Sequence, residues 1–200
     1  MTNPDALSTF RDIKKTMILV FLLENKKMTT VKYVVLCGNE GAGKDTMADY
    51  LVDKYGFTKL AFADQVRNLT SAIYGFKMDD FSHERKDSYV HPIWKLTPRD
   101  AMKKVATMIR TNVSDDYFVQ AVDNAIKSSQ SKKVVISDYR FDIETKYLSD
   151  KDKRVIRIKN DKVDKEKTYV DLLKCDYIIN NSGTKEDFHK CIDTIFAKSW

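Results

Sequence analysis

The chain has 200 residues, 42% hydrophobic and 32% charged, a composition that suits one globular domain with a substantial core; no apolar stretch approaches the roughly 18 residues that a membrane span needs. Its net charge of +6 is spread through acid-interleaved runs such as 150–154 and 161–167, which reads as a solvated surface around small polyanionic partners and not as a nucleic-acid track. Cys37, Cys175 and Cys191 lack metal-ligand spacing, and an odd number of thiols, all expected to be buried, fits a reducing cytoplasmic setting.

Residues 1–30 do not follow the pattern of what comes next. They are read either as an extra arm or as an upstream start to a core that begins near Met28. The run 17–23 is the longest fully apolar one, but Asp5, Arg11, Asp12, Lys14 and Lys15 precede it and no small-residue cleavage site follows, which argues against a secretion signal. From Val31 onward, strand-like and helix-like segments alternate, the pattern of a parallel α/β protein. A strand is expected over 31–37 and a helix over 44–54. A second strand, 57–62, leads into a helix over 63–74 with Val66, Leu69, Thr70 and Ile73 at helical spacing. The stretch 75–96 is polar and aromatic without periodicity, and a loop of that length inside a compact domain suggests a substrate-covering segment. Thr97 and Pro98 then read as an N-cap and first-turn proline for a helix whose apolar stripe is Met102, Val105, Ala106 and Ile109. Further on come a helix over 116–127, a strand over 134–136, a short helical segment over 141–148, and strands over 155–158 and 176–179. A last helix over 184–198 opens with a Thr184/Asp187 cap and turns Phe188, Cys191, Ile192, Ile195 and Phe196 inward. Five strands with covering helices and no repeats predict a three-layer α/β/α fold on a five-stranded parallel sheet. A single domain is expected over 31–200.

The first strand runs straight into Gly38-Asn39-Glu40-Gly41-Ala42-Gly43-Lys44-Asp45-Thr46 and then a helix. A glycine-rich loop carried from strand to helix wraps its backbone N–H groups around phosphates, and Lys44 adds a point charge at the β/γ oxygens. Where that pattern usually has a Ser or Thr hydroxyl on Mg²⁺, this chain has Asp45, also a hard oxygen ligand, with Thr46 beside it. The competing reading is an ordinary turn with a solvated lysine. The strand before and the helix after favour the phosphate loop.

Asp138 stands at the carboxyl end of an apolar strand, where open α/β sheets present groups to ligands and where phosphate-loop proteins orient Mg²⁺. A cap for the following helical segment is its alternative role. Arg140 beside it suits recognition of a phosphoryl group in transit. Arg67 with Asp64, Arg99 and Arg110 lie on helices that follow strands or loops at the same end, and Trp94 offers an aromatic surface for a base.

Taken together, Gly43-Lys44-Asp45-Thr46, Leu60-Ala61-Phe62-Ala63-Asp64 with Arg67, Leu96-Thr97-Pro98-Arg99 and Ser137-Asp138-Tyr139-Arg140-Phe141 resemble, in order, the motifs of the P-loop deoxynucleoside monophosphate kinases of bacteriophages and large DNA viruses. The resemblance covers about 31–198. Two departures stand out: 160–174 is only lysine- and acid-rich, and the usual Asn-Glu after the arginine motif appears as Asp142-Ile143-Glu144, which leaves Glu144 a weaker candidate. The resemblance implies ATP as phosphoryl donor, Mg²⁺, and a deoxynucleoside monophosphate as acceptor. Gly38, Gly41, Ala42, Gly43, Lys44, Asp45 and Thr46 would hold the donor phosphates, with Asn181 and Gly183 near its adenine. Asp45 and Asp138 would face the metal, and Lys44, Asp138 and Arg140 would carry catalysis. Asp64, Arg67, Arg99, Arg110 and Trp94 would serve the acceptor, with 75–97 on the acceptor side and 159–175 as a lid. The implied partners are small-molecule nucleotides, with neither nucleic acid nor membrane; a homodimer stays open. Dephospho-coenzyme A kinase, phosphomevalonate kinase and a non-catalytic nucleotide-binding module remain as alternatives.

Overall fold

A computed structural model describes residues 32–165 and 168–197. The segment 1–30 lies outside the described residues. Five strands, β1 (Lys32–Cys37), β2 (Thr58–Leu60), β3 (Lys133–Ile136), β4 (Lys153–Lys159) and β5 (Tyr177–Asn180), form one parallel sheet in the order β2-β3-β1-β4-β5. Six α-helices connect them: α1 (Lys44–Tyr55), α2 (Phe62–Tyr74), α3 (Pro98–Asn112), α4 (Tyr117–Ser129), α5 (Asp142–Tyr147) and α6 (Lys185–Phe196).

The central strands are runs of Val, Ile and Leu because both of their faces are covered. Val34, Leu36, Val135, Ile156, Ile158 and Ile179 pack with Met47, Ala48 and Leu51 of α1 and Phe188, Ile192 and Phe196 of α6. The alternate residues Tyr33, Val35, Val134, Ile136 and Val155 are buried as well. The result is the expected three-layer α/β/α arrangement. β3 slots between β1 and β2, so the chain reverses its direction of travel across the sheet beside β1, and the crevice outside the carboxyl ends of β1 and β3 is where such sheets take ligands. Val35 pairs with Ile136, which places Asp138 beside the first residues of the glycine loop.

Each predicted element is present, with boundaries shifted by a few residues. The stretch 75–97 holds a 3-10 turn (Met78–Phe81) and no strand or α-helix. Its own small core of Phe76, Phe81 and Ala101, flanked by Tyr74, Tyr89, Leu96 and Met102, seats it on α3. Thr97 caps α3 as expected, its hydroxyl accepting from the Asp100 N–H at 3.2 Å, and Thr184 does the same for Asp187 at the start of α6.

The cysteines require a correction. Cys37 is buried and Cys175 half-buried, but Cys191 is exposed. The buried stripe of α6 is the narrow i, i+4 line Phe188, Ile192, Phe196, and Cys191 falls on its solvent margin. The thiols of Cys37 and Cys175 approach to 3.6 Å.

Candidate active site

A cleft of about 880 Å³ opens at the carboxyl ends of β1 and β3. On one wall lies the glycine loop. Gly38 has φ of +148° and Gly43 +108°; a Cβ on Gly38 would stand 2.5 Å from the Ile158 carbonyl oxygen, and one on Gly43 would stand 2.3 Å from Asn181 Nδ2. Only glycine lets the loop lie this close to the sheet and then start α1 in one step. Lys44 Nζ donates to the carbonyls of Gly38 and Asn39 at 2.9 and 2.8 Å, so the ammonium folds back over its own loop. Burial, and then the charge of Arg140, lower its pKa.

The loop is braced from outside. Asn181 Nδ2 donates to the Ala42 carbonyl at 2.9 Å, Asn39 donates to Asp164 at 2.6 Å, and Thr168 donates to Asn39 at 2.8 Å. Asn181 therefore stands behind the loop, Gly183 sits against Asp187 in the cap of α6, and neither lines the cleft. The segment after β4 reaches the glycine loop through Asn39.

On the facing wall, Asp138 accepts from the backbone N–H groups of Phe62 (2.9 Å) and Ala63 (2.8 Å), the first two residues of α2. It does cap a helix, though not the one that follows it. A carboxylate there satisfies orphan donors and complements the positive helix end. Burial raises its pKa against the lowering pull of those two N–H groups and of Arg140. The cap of the following helix, α5, is provided by Glu144, whose Oε2 accepts from Arg140 N at 2.6 Å and Phe141 N at 3.0 Å. Glu144 is 2% exposed, and burial pushes its pKa up to about 7. It thereby fixes the turn from which Arg140 projects.

The structure brings Lys44, Asp45, Thr46, Asp64, Arg67, Arg99, Arg110, Asp138 and Arg140 onto this one cleft. Asp64 accepts from Ala61 N–H and pairs with Arg67 at 2.7 Å. Arg110 lies over the rings of Phe118 and Phe141, 5.4 and 4.9 Å from their centroids, which holds its head in place without consuming its charge. Asp45 pairs with Lys59 at 2.9 Å. Trp94 is not brought in: its indole N–H donates to the Tyr74 carbonyl at 3.0 Å and its ring stacks edge-on against Tyr74. Sequence reasoning passed over Glu40 and His83, read Lys86 first as a solvated charge and only second as a phosphate contact, weighed Phe81 equally as a core aromatic and a surface for the acceptor base, and ranked Glu144 low, although all line the cleft, as does Phe141 of the arginine motif. Glu144 had a local signal, a carboxylate in the first turn of a helix. Lys86 had none.

Among the described residues no three His, Cys, Asp or Glu side chains cluster as a metal cage. Asp45 at the start of α1 and Asp138 on the facing wall both line the cleft, and as hard oxygen donors they fit a magnesium ion that would take its remaining ligands from phosphate and water, which is how that ion usually binds.

No protein-family model matches the chain. A protein of Acanthamoeba polyphaga mimivirus, provisionally named a deoxynucleotide monophosphate kinase, is 24% identical over 182 residues, spanning 79% of this chain and 94% of its own. Among solved structures, Thermus thermophilus TT1252 superposes with a TM-score of 0.50 at 12% identity, over 86% of this chain and 98% of that one. Dephospho-CoA kinase from Campylobacter jejuni gives 0.46 at 16% identity, over 82% and 95%. The likeness to solved structures concerns the fold.

Proposed function

We propose that the chain transfers the γ-phosphoryl group of ATP to the 5′-phosphate of a deoxynucleoside monophosphate. The observation that carries this reading is the sharing of one cleft by two sets of cations, Lys44 with Arg140 near enough for its charge to lower the lysine's pKa, and Arg67, Arg99 and Arg110 along the same lining. A site for a single triphosphate needs the first set; the second fits another phosphorylated molecule. The mimivirus relative's name supplies the acceptor class.

Phosphoryl transfer asks a protein for alignment and charge stabilisation more than for covalent chemistry. The loop N–H groups and Lys44 hold the donor phosphates, for which the ammonium exchanges its two carbonyl partners. Asp45 and Asp138 would hold a magnesium ion or its waters, and the ion would supply positive charge to the donor phosphates. Arg140 spans donor and acceptor phosphates. Arg67, Arg99 and Arg110 orient the acceptor, whose phosphate is already ionised at neutral pH and needs no strong base to attack. The segment 75–97, which touches the loop through Lys86, and the described part of 159–175, which touches it through Asp164 and Thr168, are suited to exclude water from the pair of nucleotides. No helix among the described residues is long and apolar enough to cross a membrane.

The test is ADP release by the purified chain with ATP, Mg²⁺ and, in turn, the four deoxynucleoside monophosphates, dephospho-coenzyme A and phosphomevalonate. Turnover with a monophosphate supports the reading. Turnover only with one of the other two acceptors moves the chain to that activity. ATP binding without turnover on any acceptor makes it a binding module.

A further inference from the structure

Glu40 lies inside the phosphate loop, yet its carboxylate is spent on the opposite wall of the cleft. It accepts from Lys86 Nζ in a short charge-assisted bond and from Arg99 Nη2 at 2.9 and 3.1 Å. Arg99 also pairs with Asp87, its Nη2 donating at 2.9 Å, and His83 Nδ1 stands 3.9 Å from Glu40. Main chain sets the two cations side by side, since the Arg99 N–H donates to the Lys86 carbonyl at 3.0 Å. Lys86 is only 22% exposed and Arg99 34%, and both line the cleft with Glu40. Two acids and two bases close this cluster with no net charge left over. A two-oxygen anion bridging a lysine and an arginine is also the arrangement a phosphate takes between them.

We propose that Lys86 and Arg99 form one receiving pair for the acceptor's phosphate and that Glu40 is its placeholder, displaced by that phosphate and repelled by donor phosphates on the loop. This rests on the kinase reading above and extends it to Lys86 and Glu40. The lowering of the Glu40 pKa to about 2, caused first by Lys86, agrees with a carboxylate that stays ionised and occupies the pair until an anion replaces it. One consequence is coupling. A polyanion cradled by the loop pushes a carboxylate of the same loop away, which frees Lys86 and Arg99, so donor binding tightens acceptor binding.

Calorimetric titration of each deoxynucleoside monophosphate, with and without an ATP analogue bearing a non-hydrolysable β,γ bridge, tests this on the full chain. Wild type should bind its monophosphate roughly tenfold tighter with the analogue present, within the usual span of such couplings. Glu40→Gln should bind it tightly without the analogue and show a coupling factor near one. Lys86→Gln should bind it roughly tenfold more weakly in both conditions. Weaker monophosphate binding in Glu40→Gln, retention of the wild-type coupling in that variant, or wild-type affinity in Lys86→Gln overturns the proposal while leaving the kinase reading standing. A wild-type chain that binds neither nucleotide takes both down.

Discussion

Replacing Glu144 with glutamine should make the protein more stable, by an amount that grows as pH rises from about 4.5 to about 7 and is constant above that. The Glu144 side chain is 2% exposed, and its pKa rises from the ordinary 4.5 to about 7. Between those two values the unfolded chain releases this proton while the native chain keeps it. The native state then binds more protons, and its stability falls as pH rises through the window. Above about 7 the whole penalty is present: at 1.36 kcal/mol per pKa unit it comes to about 3 kcal/mol. Glutamine keeps a carbonyl oxygen to accept from Arg140 N–H and Phe141 N–H and removes the charge. Thermal unfolding of both proteins from about pH 4 to about pH 8 should therefore start nearly level at the acid end. The two should separate toward the alkaline end by up to about 3 kcal/mol, roughly 6–12 °C for a chain of this size. Midpoints that stay a constant distance apart across the range would refute the claim that burial of this carboxyl governs its ionisation.

Lys44→Ala and Arg140→Ala should each lower turnover about 10³-fold or more while leaving the circular dichroism spectrum unchanged, because such groups act on phosphoryl charge; wild-type turnover in either folded variant removes it from the mechanism. Gly38→Ala should lower the unfolding free energy read from urea denaturation by about 1–3 kcal/mol, and the midpoint with it, since the new Cβ meets a backbone carbonyl that cannot swing aside at a φ which L side chains rarely adopt. An unshifted midpoint means the loop is laxer than described. Thr97→Ala removes the N-cap of α3 and should cost about 1 kcal/mol in the same assay. Its KM for the acceptor should rise more than its kcat falls, because Arg99 rides on that first turn; an unchanged KM argues that Arg99 is held elsewhere.

Local chemistry was legible in the sequence wherever a residue's role depends on its immediate neighbours. The glycine loop announces itself between a strand and a helix, Thr97-Pro98 spells a helix start, and Asp138 follows an apolar strand. What stayed hidden depends on pairings distant in sequence. β1, β3 and β4 are all short Val and Ile runs, so nothing in their composition says that β3 inserts between β1 and β2. Glu40 and Lys86 are 46 residues apart, and no periodicity links them. Asn181 sits close after a strand, as a purine contact would, but it turns its amide to the back of the loop. Trp94 reads from composition as a binding aromatic, yet its indole N–H finds a backbone carbonyl nearby. Cys191 falls at the edge of a stripe whose width cannot be judged before the sheet beneath it is known.

Asp138 holds the first amides of α2 from 75 and 76 residues away in the chain. Anyone seeking an inert form in which to trap both nucleotides for crystallography should therefore leave this acid alone. Asparagine would turn an amide NH₂ toward one of the two main-chain donors and push the start of that helix outward, carrying Arg67 with it. On the proposed reading, a blank made at Lys44 would silence the donor side without moving the acceptor's seat.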